Sequence, residues 1–251
     1  MKFMVMHKHA KSTEVGTMPP QQLIERMGAL VGGMAQSGRL LDGDGLGATK
    51  NRSRVSLRDQ KVTVEHGPYT PGTQELPANI VKISVRSRDE AIRHATKMGQ
   101  AIGGDVELEV SLINEAWDLG FGEKPADAPE RYLVIHKANP KTEAGQSPNL
   151  NEVTREAKAA GALLGTIALT PSSKATRLQW KRSARTIVDG PFAETKELIG
   201  GYAVLEMASL EECIAFSTEY AQILLLDADT LEIDIRPLGG AGDDDRANSR
   251  P

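Results

Sequence analysis

The stretch TIVDGPFAETKELIGGY, residues 186–202, sets Asp189, Glu194 and Lys196 within eight positions of one another, around a Gly-Pro pair. A carboxylate held at a strand end beside a pocket can act as acid, base or ligand anchor. An ammonium nearby can stabilise negative charge as it develops. Each residue also has a plainer reading: Gly190-Pro191 makes a tight corner, an Asp side chain caps its own turn, and Glu194 and Lys196 edge a solvated loop. A second constellation is His7-Lys8 and His136-Lys137, each closing a short apolar run. Imidazole titrates near neutrality and suits proton shuttling, although a histidine at a strand end is also simply tolerated there. Alternation along a strand puts His7 with Phe3 and Val5 on one face and Lys8 with Met4 and Met6 on the other.

The bulk composition narrows the classes. Thirty Lys and Arg against 34 Asp and Glu give a formal charge of -4, so no basic excess points to direct nucleic-acid binding. One cysteine, Cys213, excludes an internal disulfide, and no zinc-like Cys/His spacing is present. Cys213 reads as a small buried hydrophobe and Met6, Met27, Met34 and Met98 as core filler. No apolar run has the length of a signal peptide core or a membrane span, which leads to the expectation of a cytoplasmic protein with no membrane partner. GDGLGATK meets neither the dinucleotide fingerprint nor the Walker A pattern and reads as a glycine-rich strand exit. No metal or cofactor is expected.

The chain repeats itself. Phe3, His7, Lys8, Thr13, Glu14 and Gly16 recur as Tyr132, His136, Lys137, Thr142, Glu143 and Gly145, at an offset of 129. Further along Arg54, Thr63 and Gly67-Pro68-Tyr69 recur as Arg177, Thr186 and Gly190-Pro191-Phe192, at an offset of 123. The organisation expected is a domain at 1–113, a Pro- and Gly-rich linker at 114–129, a domain at 130–238 and a disordered tail at 239–251. The copies differ where chemistry would sit. His66 occupies the place of Asp189, so the Gly-Pro corner does not require the aspartate.

Both copies follow one order of elements. A strand leads into a helix over PPQQLIERMGALVGGMAQSG, where Leu23, Met27, Leu30, Val31 and Met34 recur at helical spacing. Alternating runs (RVSL, KVTVEHG and NIVKISV; TRLQW, RTIVDG and GYAVLEM) predict strands. Ser87 with Glu90, and Ser209 with Glu212, predict capping boxes opening a further helix, and VELEVSL and LEIDIRPL a closing strand. Two helices on one face of an antiparallel sheet is an α+β, ferredoxin-like arrangement. Its bare sheet face needs cover, which a homodimer or an intrachain pseudo-dimer supplies.

LTPSSKATRL followed by RTIVDGPFAETKELIGGY, a Ser-capped acidic helix and LEIDIRPL resembles the YCII-related, DGPF-motif family of small bacterial proteins. The first copy resembles it through KFMVMHKHAKSTEVGTMP and SGRLLDGDGLGAT. The resemblance implies two tandem ferredoxin-like domains of the dimeric α+β barrel type. It implies a small-molecule ligand, since relatives in the wider YCII group act on small cyclic or aromatic acids by proton transfer and elimination with a His and Asp pair. DGPF members are also often encoded beside alternative sigma factors, which implies a regulatory context. The family pattern further places an acidic residue between glycines at the second strand, met here by Asp44 and not by Thr166-Ile167-Ala168. The site expected is therefore Asp189, His136 and His7 for proton transfer, with Asp44, His66, Lys137, Glu194 and Lys196 against the substrate. Asp44 and Asp189 either share one composite site, belong to two diverged sites, or mark drift. The alternative function is a non-catalytic ligand sensor or interaction scaffold linked to transcriptional regulation.

Overall fold

The fold is described by a computed structural model, whose described residues are 1–8, 14–15, 17–68, 76–138, 149–181, 184–192 and 198–239. The protein is α+β, with two antiparallel six-stranded sheets. The chain runs through β1 (Lys2–Lys8), α1 (Gln21–Gln36), β2 (Leu40–Gly45), β3 (Ser53–Arg58), β4 (Lys61–His66), β5 (Leu76–Val85), α2 (Arg88–Ile102) and β6 (Val106–Leu112). It continues with β7 (Glu130–Ala138), the short α3 (Leu150–Val153) and α4 (Arg155–Ala159), β8 (Leu163–Ala168), β9 (Thr176–Lys181), β10 (Ala184–Asp189), β11 (Ile199–Glu206), α5 (Leu210–Leu224) and β12 (Thr230–Leu238). Among the described residues no helix is long and apolar enough to cross a membrane.

Local chemistry accounts for these elements. Ser87 and Ser209 cap α2 and α5 by accepting from the backbone N–H of Glu90 at 3.3 Å and Glu212 at 3.2 Å. Glu90 and Glu212 reach back past the caps to accept from the N–H of Arg86 and Ala208, one residue earlier than a capping box places that bond. Where the first copy has the 16-residue α1, residues 150–159 form only α3 and α4, four and five residues long.

The chain divides into two compact units that cut across the repeat boundaries at 113 and 130. One comprises Met1–Ala48, Thr170–Phe192 and Glu197–Leu238, with its strands in the order β10-β9-β12-β1-β11-β2. The other is essentially Thr49–Leu169, in the order β4-β3-β6-β7-β5-β8. Strand β1 thus lies between β11 and β12, and β7 between β5 and β6. The opening segment of each sequence copy pairs into the sheet built by the later strands of the other.

Both central strands are buried on both faces. Phe3 and Val5 join Leu178, Ile233, Ile235 and Cys213 in one helix-side core. Tyr132 and Val134 join Leu57, Ile83, Ala95 and Met98 in the other. Met4, Met6, Leu133 and Ile135 are buried on the opposite faces. His7 and His136 therefore point toward helices, and Lys8 and Lys137 away from them.

Candidate functional site

The DGPF corner is built by close backbone approach. The Gly67-Pro68 and Gly190-Pro191 peptides are both cis, and each glycine N–H donates to a strand-leading carbonyl: Gly67 to Arg52 at 3.0 Å, Gly190 to Ala175 at 2.9 Å. A Cβ on Gly67 would stand 1.7 Å from the Thr49 carbonyl oxygen, and on Gly190 1.7 Å from that of Ser172. No side chain fits there, so glycine is obligatory for packing. Asp189, exposed at the end of β10, accepts a hydrogen bond from Thr176 Oγ1 at 3.2 Å across the hairpin. At the matched place Ser53 Oγ lies 3.1 Å from His66 Nδ1. The two hairpins are clasped by the same contact with different chemistry. Phe192 is buried, and the Arg177 guanidinium lies 4.1 Å above its ring.

That arginine leads to the first of two buried charge clusters. Arg177 grips Asp234 with two bonds, Nε to Oδ1 at 2.7 Å and Nη2 to Oδ2 at 3.0 Å, and Lys8 Nζ lies 3.3 Å from Oδ2. Burial alone would raise the Asp234 pKa, but Lys8, Arg177 and Arg236 outweigh it and hold the carboxyl below its usual range. Burial pushes the Lys8 ammonium the other way, below its ordinary value, against the pull of Asp234 and Glu232. In the second unit Glu109 occupies the corresponding place. Its Oε1 accepts from Arg52 Nη1 and Ser111 Oγ, both at 2.8 Å, and Lys137 Nζ lies 3.2 Å from Oε2. Burial opposes ionisation here too, yet Lys137 and Arg52 bring the Glu109 pKa down to about 2. Arg52 and Arg236 are both fully buried, and they enter from different places, Arg52 just before β3 and Arg236 on β12: Ser111 stands where the first unit has Arg236, and Ala175 where the second has Arg52. Lys137, expected against substrate, is held in this cluster.

On the helix side the histidines differ. His7 Nδ1 lies 2.7 Å from the Tyr220 hydroxyl of α5, with the rings edge to face, and Tyr220 stacks on Phe216. Opposite His7 on β11 stands Gly201, where a Cβ would come within 2.5 Å of the imidazole Cε1. Asn79 on β5 holds the matching place opposite His136, with its amide Nδ2 3.3 Å from His136 Nδ1. His136 and Asn79 line a cavity of about 10 Å³ closed by Val81, Met98, Ile102, Leu108, Val134, Leu150 and Val153. Burial lowers the His136 pKa from its ordinary 6.5.

The remaining candidates separate. Asp44 and Asp42 on β2 each place an Oδ2 atom 2.9 Å from the Tyr202 hydroxyl on β11, which burial and the two carboxylates make a much weaker acid than usual. Strands β2 and β10 are opposite edges of one sheet, so Asp44 and Asp189 stand about 24 Å apart at roughly 4.8 Å per strand. One composite site using both carboxylates is therefore corrected: β11, β1, β12 and β9 lie between them. By the same spacing β1 and β10 are about 14 Å apart, so Asp189 does not pair with His7. Glu194 and Lys196 lie outside the described residues, as do residues 240–251 of the tail. Cys213 is fully buried, and burial pushes its thiol up to about 12, away from nucleophilic chemistry. Among the described residues no three of His, Cys, Asp and Glu are grouped to hold a metal ion.

Sequence reasoning passed over Arg52, Asn79, Glu109, Arg177 and Asp234. A signal was present for two of them: VELEV and LEIDI each carry a pair of carboxylates alternating with apolar residues, Glu107 and Glu109 in one and Glu232 and Asp234 in the other, at matched places. A buried strand tolerates that only with cationic partners.

A family model for the YCII-related domain matches residues 131–222. An uncharacterised protein of Rhizobium meliloti (strain 1021) is 32% identical over 90 residues, which span 36% of this chain and 70% of that protein. No solved structure matches. With this domain running from β7 through the Gly190-Pro191 corner into α5, and a relative covered over most of its length, the chain belongs to the YCII-related family.

Proposed function

We propose that the protein carries out proton-transfer chemistry, isomerase- or lyase-like, on a small molecule, with the neutral His136 imidazole donating from Nε2 to the charge that develops there. One observation carries this reading: the imidazole is held at Nδ1 by Asn79 and faces a cavity whose other walls are apolar. With the Asn79 amide donating, the ring proton sits on Nε2, and the lowered pKa keeps the ring neutral at pH 7. At about 10 Å³ the cavity is of the size of a single water. Leu150 and Val153, on the one-turn helix α3, form part of its wall. The test is a thermal-shift screen of small cyclic and aromatic acids against wild type, His136→Gln and Asp189→Asn. Ligand stabilisation should vanish with His136→Gln and survive Asp189→Asn; the opposite pattern returns the chemistry to Asp189.

A second reading rests on the hairpin clasp. Asp189 and His66 make the same contact with Thr176 and Ser53, so the hairpin clasp accounts for either side chain without a catalytic role. That favours a non-catalytic, ligand-sensing or interaction scaffold linked to transcriptional regulation, and silence across the whole screen would support it. In either case the architecture is inferred to be a duplicated, ferredoxin-like pair of the dimeric α+β barrel type joined in one chain, with opening segments exchanged. Support comes from the matching close approach at Gly67 and Gly190 and from the paired Lys8–Asp234 and Lys137–Glu109 contacts.

A further inference from the structure

The cavity beside His136 has a chemical preference of its own. Asn79 is 3% exposed, and its amide nitrogen is engaged by His136 while its carbonyl oxygen Oδ1 is buried without a hydrogen-bond partner. An unmet acceptor in an apolar enclosure is costly, and the natural remedy is a donor placed in the enclosure. Among the described residues the rest of the wall, from Val81 and Met98 to Leu150 and Val153, is apolar and uncharged. A carboxylate there would be desolvated with no cation to meet it.

We propose that this pocket binds an uncharged hydroxyl group on an apolar body, a phenol or alcohol, with Asn79 Oδ1 accepting the hydroxyl proton beside His136. The proposal rests on the reading of His136 as the ligand site and narrows it. An acidic ligand enters hydroxyl first and keeps its carboxylate outside the enclosure. Room for a ring comes from Met98, whose unbranched thioether repacks readily, and from the single turn of α3.

The experiment uses the full chain and three probes of similar size: phenol, anisole, which lacks the donor, and benzoate, which is charged. Binding is read from the His136 ring signals in NMR and from thermal shift, in wild type and in Met98→Ala, which enlarges the pocket while keeping Asn79. Phenol should move the His136 signals and bind at least about tenfold more tightly than anisole or benzoate, one hydrogen bond being worth roughly that factor. In Asn79→Leu the preference for phenol over anisole should disappear. Equal binding of phenol and anisole, or a preference for benzoate, overturns the hydroxyl assignment while leaving His136 as a ligand site. If no probe moves His136 in either wild type or Met98→Ala, the pocket is not a ligand site, and the proton-transfer reading built on it falls as well.

Discussion

Thr176 donates its hydroxyl proton to Asp189 at 3.2 Å, directly across the β9–β10 hairpin, in the place where Ser53 meets His66 across β3 and β4. A hydroxyl and a short polar partner are enough to close either hairpin, and nothing in the contact requires a negative charge. Replacing Asp189 by His should therefore copy a clasp the protein already uses. We expect Asp189→His to change unfolding free energy by about 1 kcal/mol or less, the scale of one exposed hydrogen bond, in urea denaturation. A loss of several kcal/mol would mean that the carboxylate has work beyond Thr176.

The neighbouring glycine should behave in the opposite way. A methyl group on Gly190 meets the Ser172 carbonyl oxygen at 1.7 Å, and that oxygen is backbone in a one-turn helix, unable to swing aside as a side-chain tip would. Gly190→Ala should cost more than about 3 kcal/mol, as severe overpacking does, and Gly67→Ala at the matching corner should cost a comparable amount. Equilibrium unfolding of the two variants beside Asp189→His checks the claim that the demand shared by the two corners is spatial. Gly190→Ala melting like wild type would refute it.

Glu109 makes a pH-dependent contribution whose sign follows from its depressed pKa. A carboxyl that titrates at about 2 when folded and 4.5 when unfolded stabilises the protein fully above 4.5, and the gain is lost as pH falls toward 2. The difference corresponds to about 3 kcal/mol at neutral pH. Glu109→Gln removes that contribution and leaves Lys137 and Arg52 facing a neutral amide. Urea denaturation should show wild type well ahead at pH 7, with the gap closing below pH 4.5. A gap independent of pH would indicate that packing, and not charge, holds the cluster.

Much of this fold is legible locally. Ser87 and Ser209 announce their helices, because a side-chain cap is decided within four residues. The alternation in KFMVMHK correctly divides His7 from Lys8, because strand faces follow from backbone geometry alone. Which strands β1 joins is another matter. KFMVMHK and RYLVIHK carry nearly the same pattern, so each fits the slot between a fifth and sixth strand of either copy, and local sequence cannot choose. The sheet order decides, and with it the separation of Asp44 from Asp189. Asn79 was hidden for a related reason: a polar residue in a strand gains meaning only from its neighbour across the sheet, here His136.

His136 offers a sharp pH test because burial, and not a charged neighbour, sets its shift. The folded pKa lies below 6.5, so the unfolded chain takes up a proton first as pH falls. Stability attributable to the neutral ring is present above 6.5 and is lost as pH drops from there through the folded pKa. His136→Gln should therefore flatten the wild-type stability profile across that acid limb while leaving the Glu109 limb, below 4.5, in place. NMR titration of the ring gives the midpoint directly, and it should move back toward 6.5 in Met98→Ala if the enlarged pocket admits water. A wild-type midpoint at or above 6.5 would mean that the imidazole is hydrated or charge-paired in solution, and would remove the neutral imidazole donor on which the proton-transfer reading depends.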